Sequence, residues 1–136
     1  MVLVRGTCVA RRNAAVLIEG PSGAGKSDLA LRLIDRGWRL VADDYTEVEI
    51  KKGRLEARSP KVIVGKIEVR GLGIRRVPAL AKARIRLVVR LVARGKVPRL
   101  PKSARRVLGG VALPLRTLHA FDASTPIKIE LALKAR

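Results

Sequence analysis

The feature that most constrains the fold is a glycine-rich segment that directly follows a short apolar run. Residues Ala14-Ala-Val-Leu-Ile-Glu19 form an apolar run of strand length, typical of a strand covered on both faces. The next eight residues, Gly20-Pro-Ser-Gly-Ala-Gly-Lys-Ser27, match the pattern G-x-x-x-x-G-K-S in full. From Asp28 the apolar residues recur at helical spacing, and Gly37 predicts the helix end. This order of strand, glycine-rich loop and helix predicts a phosphate-binding loop.

The loop residues predict a site for the phosphates of a nucleotide. Glycines let the backbone wrap an anion, and the loop amides and the helix N-terminus direct positive partial charge toward it. The Lys26 ammonium can reach the β- and γ-phosphates, and the Ser27 hydroxyl can ligate magnesium. The alternative is a glycine-rich turn that binds nothing. The predicted nucleotide-binding residues are Gly20, Pro21, Ser22, Gly23, Ala24, Gly25, Lys26 and Ser27.

Length and composition predict one domain with a small aliphatic core. The chain has 136 residues, 48% of them apolar, so we expect a single domain over residues 1–136. Only 2% of the residues are aromatic, so the core should consist of Val, Leu, Ile and Ala. The one cysteine, Cys8, excludes an intramolecular disulfide, fits a reducing compartment and is expected to be buried. One cysteine and one histidine cannot complete a zinc site.

No segment of the sequence predicts a membrane span or a signal peptide. A membrane helix needs roughly 18 consecutive apolar residues, and no run approaches that length. The apolar opening of the chain ends at Arg5, which is too early for a signal peptide. We therefore expect a soluble, cytoplasmic protein that makes no contact with a membrane.

The rest of the chain alternates short strands with turns, and it shows no internal repeat and no long linker. The tail is ambiguous, because its apolar residues alternate like a strand while Thr125-Pro126 is a good helix start; we favour a helix. The other predicted segments are a strand Val2–Ala10, a strand Trp38–Ala42, a hairpin of Tyr45–Ile50 with Arg54–Ala57, a strand Ile67–Ile74 entering a glycine-rich loop, a strand Ile85–Val92 and a loop Val97–Pro101.

Three acidic residues are candidates for metal binding or proton transfer. Asp43 and Asp44 follow a predicted strand, and in a parallel sheet they would lie beside the phosphate loop, where carboxylates can hold magnesium or accept a proton. Neighbouring residues of a strand point to opposite sides, so the two should not share one task. Glu68 could be a second metal ligand, with Arg70 as a phosphate contact. The plainer alternatives are an acidic turn for the aspartates and a solvent-facing residue for Glu68.

At this point the chain resembles the catalytic domain of the HPr kinase/phosphorylase family. The resemblance covers nearly the whole chain. The chain looks like a short form of the family that lacks the N-terminal domain of longer members. The segments that carry it are Gly20–Gly37, Leu40-Val-Ala-Asp-Asp44 and Ile67-Glu-Val-Arg-Gly-Leu-Gly-Ile74 and, more loosely, Val97-Pro-Arg-Leu-Pro101 and Pro126-Ile-Lys-Ile-Glu130.

The resemblance implies an α/β fold: a P-loop NTPase-like domain with a mixed sheet, related to the nucleotide-binding domain of phosphoenolpyruvate carboxykinase. It implies transfer of phosphate from ATP with Mg²⁺ to a serine of the phosphocarrier protein HPr, with the reverse phosphorolysis as a second activity and a hexamer as the assembly. Lys26 and Ser27 would bind phosphate and magnesium, and Glu68 and Asp43 would be metal ligands. Asp43 or Asp44 would be the base, and we favour Asp44.

Two arginines gain a role only through the resemblance. Taken alone, Arg5 and Arg99 look like two of many surface cations. Arg99 falls where the family has a catalytic arginine, and Arg5 falls where it has a catalytic histidine. Arginine stays protonated and cannot shuttle a proton, although it can stabilise charge on a transferring phosphoryl group. We do not expect His119, which is remote in sequence, to replace that histidine.

Two other function classes stay open, and the first of them follows from the charge of the chain. The chain has 30 Lys and Arg against 11 Asp and Glu, a formal net charge of +19, and the stretch from Arg75 to Arg106 contains no acid. Such a field would steer an acidic protein partner, but it also fits a nucleic-acid-binding protein. Three aromatic residues leave no stacking platform for single-stranded nucleic acid, so we expect only non-specific nucleic-acid binding. A P-loop kinase or NTPase acting on another acceptor is the second alternative.

Overall fold

A buried strand at the centre of a curled mixed sheet carries the glycine-rich loop at its end. The computed structural model describes residues 1–134, except for the side chain of Val62. Two α-helices, α1 (Lys26–Asp35) and α2 (Thr125–Lys134), contact each other beside the sheet. The strands are β1 (Val2–Arg5), β2 (Thr7–Arg11), β3 (Ala14–Glu19), β4 (Arg39–Ala42), β5 (Tyr45–Lys51), β6 (Arg54–Arg58), β7 (Lys66–Val69), β8 (Gly73–Arg76), β9 (Lys82–Leu91), β10 (Arg105–Leu108) and β11 (Val111–Leu118); short 3-10 turns lie at Lys61–Ile63 and Arg94–Lys96.

The main sheet has the strand order β1-β5-β6-β9-β3-β2-β4, with β10 and β11 attached at β9. The central strand β3 pairs with β2 in antiparallel and with β9 in parallel orientation. On its other side, β9 pairs with β6 near its start and with β11 near its end. The mixed sheet that the family resemblance implies is therefore present. β7 and β8 form a separate two-stranded hairpin.

The sheet separates two apolar cores, and β3 contributes to both. Ala15 and Leu17 pack in a core shared with β5, β6 and the β10–β11 hairpin. Val16 and Ile18 pack in a second core, against α1 and α2. All four are fully buried, which explains why this strand is apolar at successive positions rather than alternating.

Most predicted segments have the expected structure. The strand Ala14–Glu19, the β5–β6 hairpin and the C-terminal helix are confirmed. Gly37 ends α1 with a φ of 97°, the left-handed region that glycine adopts without strain. Cys8 is fully buried, and burial raises the pKa of its thiol well above the usual range. The core is not purely aliphatic, because the Trp38 side chain is buried within the second core.

Three predictions about the strands were wrong in whole or in part, and one hairpin was missed. The segment Val2–Ala10 is two strands, because the chain turns at Gly6, whose amide donates a hydrogen bond 2.8 Å long to the Asp44 carbonyl. The segment Ile67–Ile74 does begin as a strand that enters a turn, with Gly71 in the turn, but the chain then returns as β8 from Gly73, so the segment is a hairpin. The sheet between Asp43 and the phosphate loop is not parallel, because antiparallel β2 separates β4 from β3. The β10–β11 hairpin was not foreseen.

Neither α-helix in the described part of the chain is long and apolar enough to cross a membrane.

Candidate functional site

The phosphate loop has the backbone that a close approach to an anion requires. It runs from the end of β3 to Gly25, the residue before α1, and two of its glycines have positive φ angles, 82° at Gly23 and 98° at Gly25. Residues with a side chain rarely adopt this conformation, so the local shape depends on glycine. The first amides of α1 lie directly behind the loop, where the helix dipole favours a negative ligand.

Lys26, the first residue of α1, folds back over the start of the loop. Its ammonium donates hydrogen bonds to the carbonyls of Gly20 at 2.7 Å and Pro21 at 3.2 Å. The side chain is largely buried at 7% exposure, yet these two carbonyls partner its charge. Lys26 therefore places its charge at the Gly20–Pro21 end of the loop.

A buried polar cluster joins α1 to the end of β4. The Asp43 Oδ1 accepts hydrogen bonds from the Ser27 hydroxyl at 2.6 Å and the Thr7 hydroxyl at 3.1 Å. The Asp43 Oδ2 accepts one from the backbone amide of Glu68 at 3.2 Å. Asp43 is only 7% exposed, so these three donors compensate for the loss of hydration of its charge. Three separate elements meet at this one carboxylate.

Asp44, the next residue, points outward. Its φ angle of 67° lies in the left-handed region, which aspartate tolerates better than most residues. Its amide donates to the Thr7 hydroxyl at 3.2 Å, which holds the backbone in this turn. Its Oδ1 lies 3.9 Å from Nε of Arg5, and both side chains are more than half exposed. The antiparallel pairing of Arg5 with Tyr45 brings these two residues together.

The donor set around Ser27 fits a magnesium ion. Magnesium prefers hard oxygen ligands and typically takes one or two carboxylates together with phosphate oxygens and water. Ser27 and Asp43 offer a hydroxyl and a carboxylate oxygen 2.6 Å apart next to the phosphate loop. Glu68 lies on β7 with an exposed side chain, and its amide bonds to Asp43. Within residues 1–134, no three His, Cys, Asp or Glu side chains form a metal-binding group by themselves.

The structure does not bring every predicted residue to the loop. Arg99 is exposed in the segment between the Arg94–Lys96 turn and β10, and none of the contacts in the described residues links it to the phosphate loop. Arg70 is exposed at the β7–β8 turn. His119, which was not expected to replace the family's histidine, contacts the carbonyl of Val92 through Nδ1 at 3.0 Å and the ring of Phe121.

Two residues at the site were missed from the sequence. Thr7 is fully buried and contacts both aspartates, but nothing marks a lone threonine in an apolar strand. Phe121 packs against Gly25 so closely that a Cβ atom on Gly25 would lie 2.6 Å from its ring. Phe121 could have been singled out from the sequence, because it is one of only three aromatic residues.

A cleft of about 520 Å³ borders the other side of the loop start. The Arg106 guanidinium donates two hydrogen bonds, each of 3.0 Å, to the Glu19 carboxylate at its wall. This pairing raises the pKa of Arg106. The lining residues are Glu19, Gly20, Pro21, Arg90, Leu91, Val92 and Arg106.

A family model and two similar proteins all point to the same family. The model of the HPr serine kinase C-terminal domain matches residues 1–102. The chain is 51% identical over 71 residues to the HPr kinase/phosphorylase of Clostridium beijerinckii, and 49% identical over 77 residues to that of Clostridium tetani. These segments cover 52% and 57% of this chain, but only 24% and 25% of the two relatives. The chain thus matches about a quarter of the length of these relatives.

The likeness extends to a solved structure over almost the full chain. The HPr(Ser) kinase/phosphatase from Coxiella burnetii superimposes with a TM-score of 0.87 at 27% sequence identity. The match covers 99% of this chain and 90% of that one. The region beyond residue 102, outside the family-model match, therefore shares the same architecture.

Proposed function

The chain belongs to the family of HPr serine kinase C-terminal domains, and we propose that it is an ATP-dependent protein-serine kinase that phosphorylates HPr. The observation that carries the proposal is the junction of Ser27, Asp43 and the exposed Asp44 beside a complete phosphate loop. The names of the relatives, HPr kinase/phosphorylase and HPr(Ser) kinase/phosphatase, support the acceptor.

In this proposal the loop amides and Lys26 hold the triphosphate of ATP. Phosphoryl transfer depends mainly on positioning and on neutralising charge, and Lys26 supplies a cation beside the β- and γ-phosphates. Ser27 and Asp43 would hold magnesium, which when bound neutralises charge on the phosphate oxygens. Glu68 would be a further ligand of that ion, as the family resemblance implies.

Asp44 is the better base of the two aspartates. Both oxygens of Asp43 already accept hydrogen bonds within the protein, whereas the Asp44 carboxylate faces solvent, where a protein acceptor would approach. The serine oxygen of HPr forms a bond to the γ-phosphorus while the bond from that phosphorus to the ADP oxygen breaks. The serine proton goes to Asp44. Arg5, always positive, faces the same space and stabilises the transferring group.

Several finer expectations rest on the family alone. They are a catalytic role for Arg99, the reverse phosphorolysis, a hexameric assembly and a cytoplasmic location. The net charge of +19 would speed the approach of an acidic protein partner, at a rate that falls with salt.

Labelled-ATP transfer with magnesium tests the proposal. Wild type should label HPr but not an HPr variant whose target serine is alanine, and both Lys26→Ala and Asp44→Asn should abolish labelling. Lys82→Ala removes the same charge from an exposed site on β9 and should leave labelling unchanged.

Other outcomes would replace the proposal. Nucleotide hydrolysis without transfer to HPr would indicate an NTPase or a kinase for another acceptor. A failure to bind nucleotide would remove the enzyme interpretation and favour a basic nucleic-acid-binding protein.

A further inference from the structure

An exposed aromatic ring lies against the phosphate loop of a chain that has almost no aromatic residues. Trp38 is buried, whereas the Phe121 side chain is 54% exposed although it packs on Gly25. A single exposed apolar side chain is ordinary on a protein surface. What distinguishes Phe121 is its position, because its ring packs directly on a glycine of the phosphate loop.

The segment that carries Phe121 is held firmly in place. The Arg32 guanidinium of α1 donates hydrogen bonds to the carbonyls of Ala120 and Asp122. The Arg94 guanidinium bonds to the Asp122 carboxylate at 2.8 Å, which lowers the pKa of that carboxyl. The His119 ring meets the Phe121 ring edge-on, with 5.8 Å between centroids. A ring fixed from several sides loses little freedom when a ligand binds to it.

The direction of a bound nucleotide follows from Lys26. Its ammonium lies at the Gly20–Pro21 end of the loop, and the lysine of such loops serves the β- and γ-phosphates. The α-phosphate, with the nucleoside attached, therefore points toward the other end of the loop, at Gly25 and the start of α1. Phe121 lies at that end.

We propose that Phe121 is a stacking residue for the base of the bound nucleotide; this rests on the proposed use of ATP and adds the nucleoside subsite. A phenyl ring has no hydrogen-bond donors or acceptors, and any purine offers a flat face to it. The subsite therefore holds adenine and guanine nucleotides with similar strength.

Calorimetric titration with magnesium–ATP and magnesium–tripolyphosphate tests this subsite, because tripolyphosphate has no base. Phe121→Leu keeps an apolar contact with Gly25 but removes the aromatic face. It should weaken ATP binding about 10-fold and leave tripolyphosphate binding unchanged. GTP binding should fall by the same factor, and Phe121→Trp should bind ATP at least as tightly as wild type.

Three results would overturn the proposal. ATP affinity equal to wild type in Phe121→Leu would show that no base stacks there. Equal weakening of both ligands would show that Phe121 only supports the loop. Selective loss of ATP affinity in Arg106→Gln, but not in Phe121→Leu, would place the base in the Glu19–Arg106 cleft.

The same titrations separate this proposal from the proposed function. If wild type binds neither ligand, the phosphate site and the kinase proposal fail together with the subsite. If ATP binds and HPr is labelled while Phe121→Leu has no effect, the subsite alone is wrong.

Discussion

The two sides of the corner formed by Asp43 and Asp44 differ in almost every physical respect. On the inner side, Asp43 is buried, and its carboxylate accepts hydrogen bonds from two hydroxyls and one amide. On the outer side, Asp44 is exposed and has a left-handed backbone, and its carboxylate lies 3.9 Å from the guanidinium of Arg5. One turn of the chain thus presents one carboxylate to the loop and another to solvent.

This difference in environment supports the proposal that the two identical side chains have separate tasks. A carboxylate fixed by several donors is a rigid ligand, whereas an open one can receive a proton from an incoming hydroxyl. The environment of each aspartate, rather than its chemistry, supports the division into metal ligand and base. Substitutions on each side should therefore fail in different ways.

The largest effect is expected on the outer side. Asp44→Asn removes the proposed proton acceptor and should lower single-turnover phosphoryl transfer to HPr by about 10³-fold. Asparagine also tolerates a positive φ, so the fold should be unaffected. Asp35→Asn, at an exposed site late in α1, makes the same chemical change and should keep full activity. A transfer rate in Asp44→Asn close to that of wild type would show that Asp44 is not the proton acceptor.

The inner side should respond in stability. In Asp43→Asn the side-chain NH₂ must replace one oxygen, and both oxygens now face donors. We expect a loss of about 2 kcal/mol in the free energy of unfolding, measured by urea denaturation. Asp44→Asn should change this free energy by less than about 0.5 kcal/mol. Equal losses in the two variants would contradict the difference in environment.

Arg5 sharpens the description of the outer side. Arg5→Gln should lower the turnover rate about 10-fold, because a cation beside the transferring group is lost, but it is too exposed to have a larger effect. The affinity for ATP should not change, and Arg54→Gln on β6 serves as the exposed control. Arg5 stands where the family has a catalytic histidine. If the loss of that imidazole limits the reverse reaction, Arg5→His should raise the rate of phosphorolysis, and an unchanged rate would show that the imidazole is not limiting.

The smallest effect is expected at Glu130, a carboxylate far along the chain from the corner. Hydrogen bonding from Arg36 lowers the pKa of Glu130, and Trp38 adds a second hydrogen bond. A lowered folded-state pKa means that this stabilisation is present above the unfolded pKa and is lost as pH falls through the folded value. Glu130→Gln should therefore cost about 1 kcal/mol of unfolding free energy near pH 7.

The pH dependence is the control for Glu130. The difference between wild type and Glu130→Gln should shrink as pH falls below the ordinary glutamate pKa and through the lowered pKa of folded Glu130, because the wild-type carboxyl becomes neutral. A difference that stays constant with pH would show that packing, rather than charge, connects α2 to α1.

The central strand, the phosphate loop and the start of α1 could be predicted from the sequence, because local sequence patterns determine them. The apolar run Ala14–Glu19, the loop glycines and the helical spacing after Lys26 each act over a few residues, and the structure has all three. These features need no knowledge of the rest of the chain. The sequence also predicted that Asp43 and Asp44 point to different sides, but the outward direction of Asp44 comes from the left-handed turn at this residue, between β4 and β5.

The features that were missed depend on contacts between distant residues. The turn at Gly6 exists because that residue packs under Ile18, where a Cβ atom would lie 2.9 Å from the carbonyl oxygen. The role of Thr7 depends on antiparallel β2 lying between β3 and β4. The β10–β11 hairpin had a local signal, since Gly109-Gly110 between apolar residues is typical of a tight turn, but Pro114 weakened the strand pattern.

The division of tasks at the corner is tested most directly by the magnesium dependence of ATP affinity. Calorimetric titration of ATP with and without magnesium should give the wild-type magnesium enhancement in Asp44→Asn and little or none in Asp43→Asn. An enhancement that survives in Asp43→Asn and disappears in Asp44→Asn would reverse the assignment of metal ligand and base.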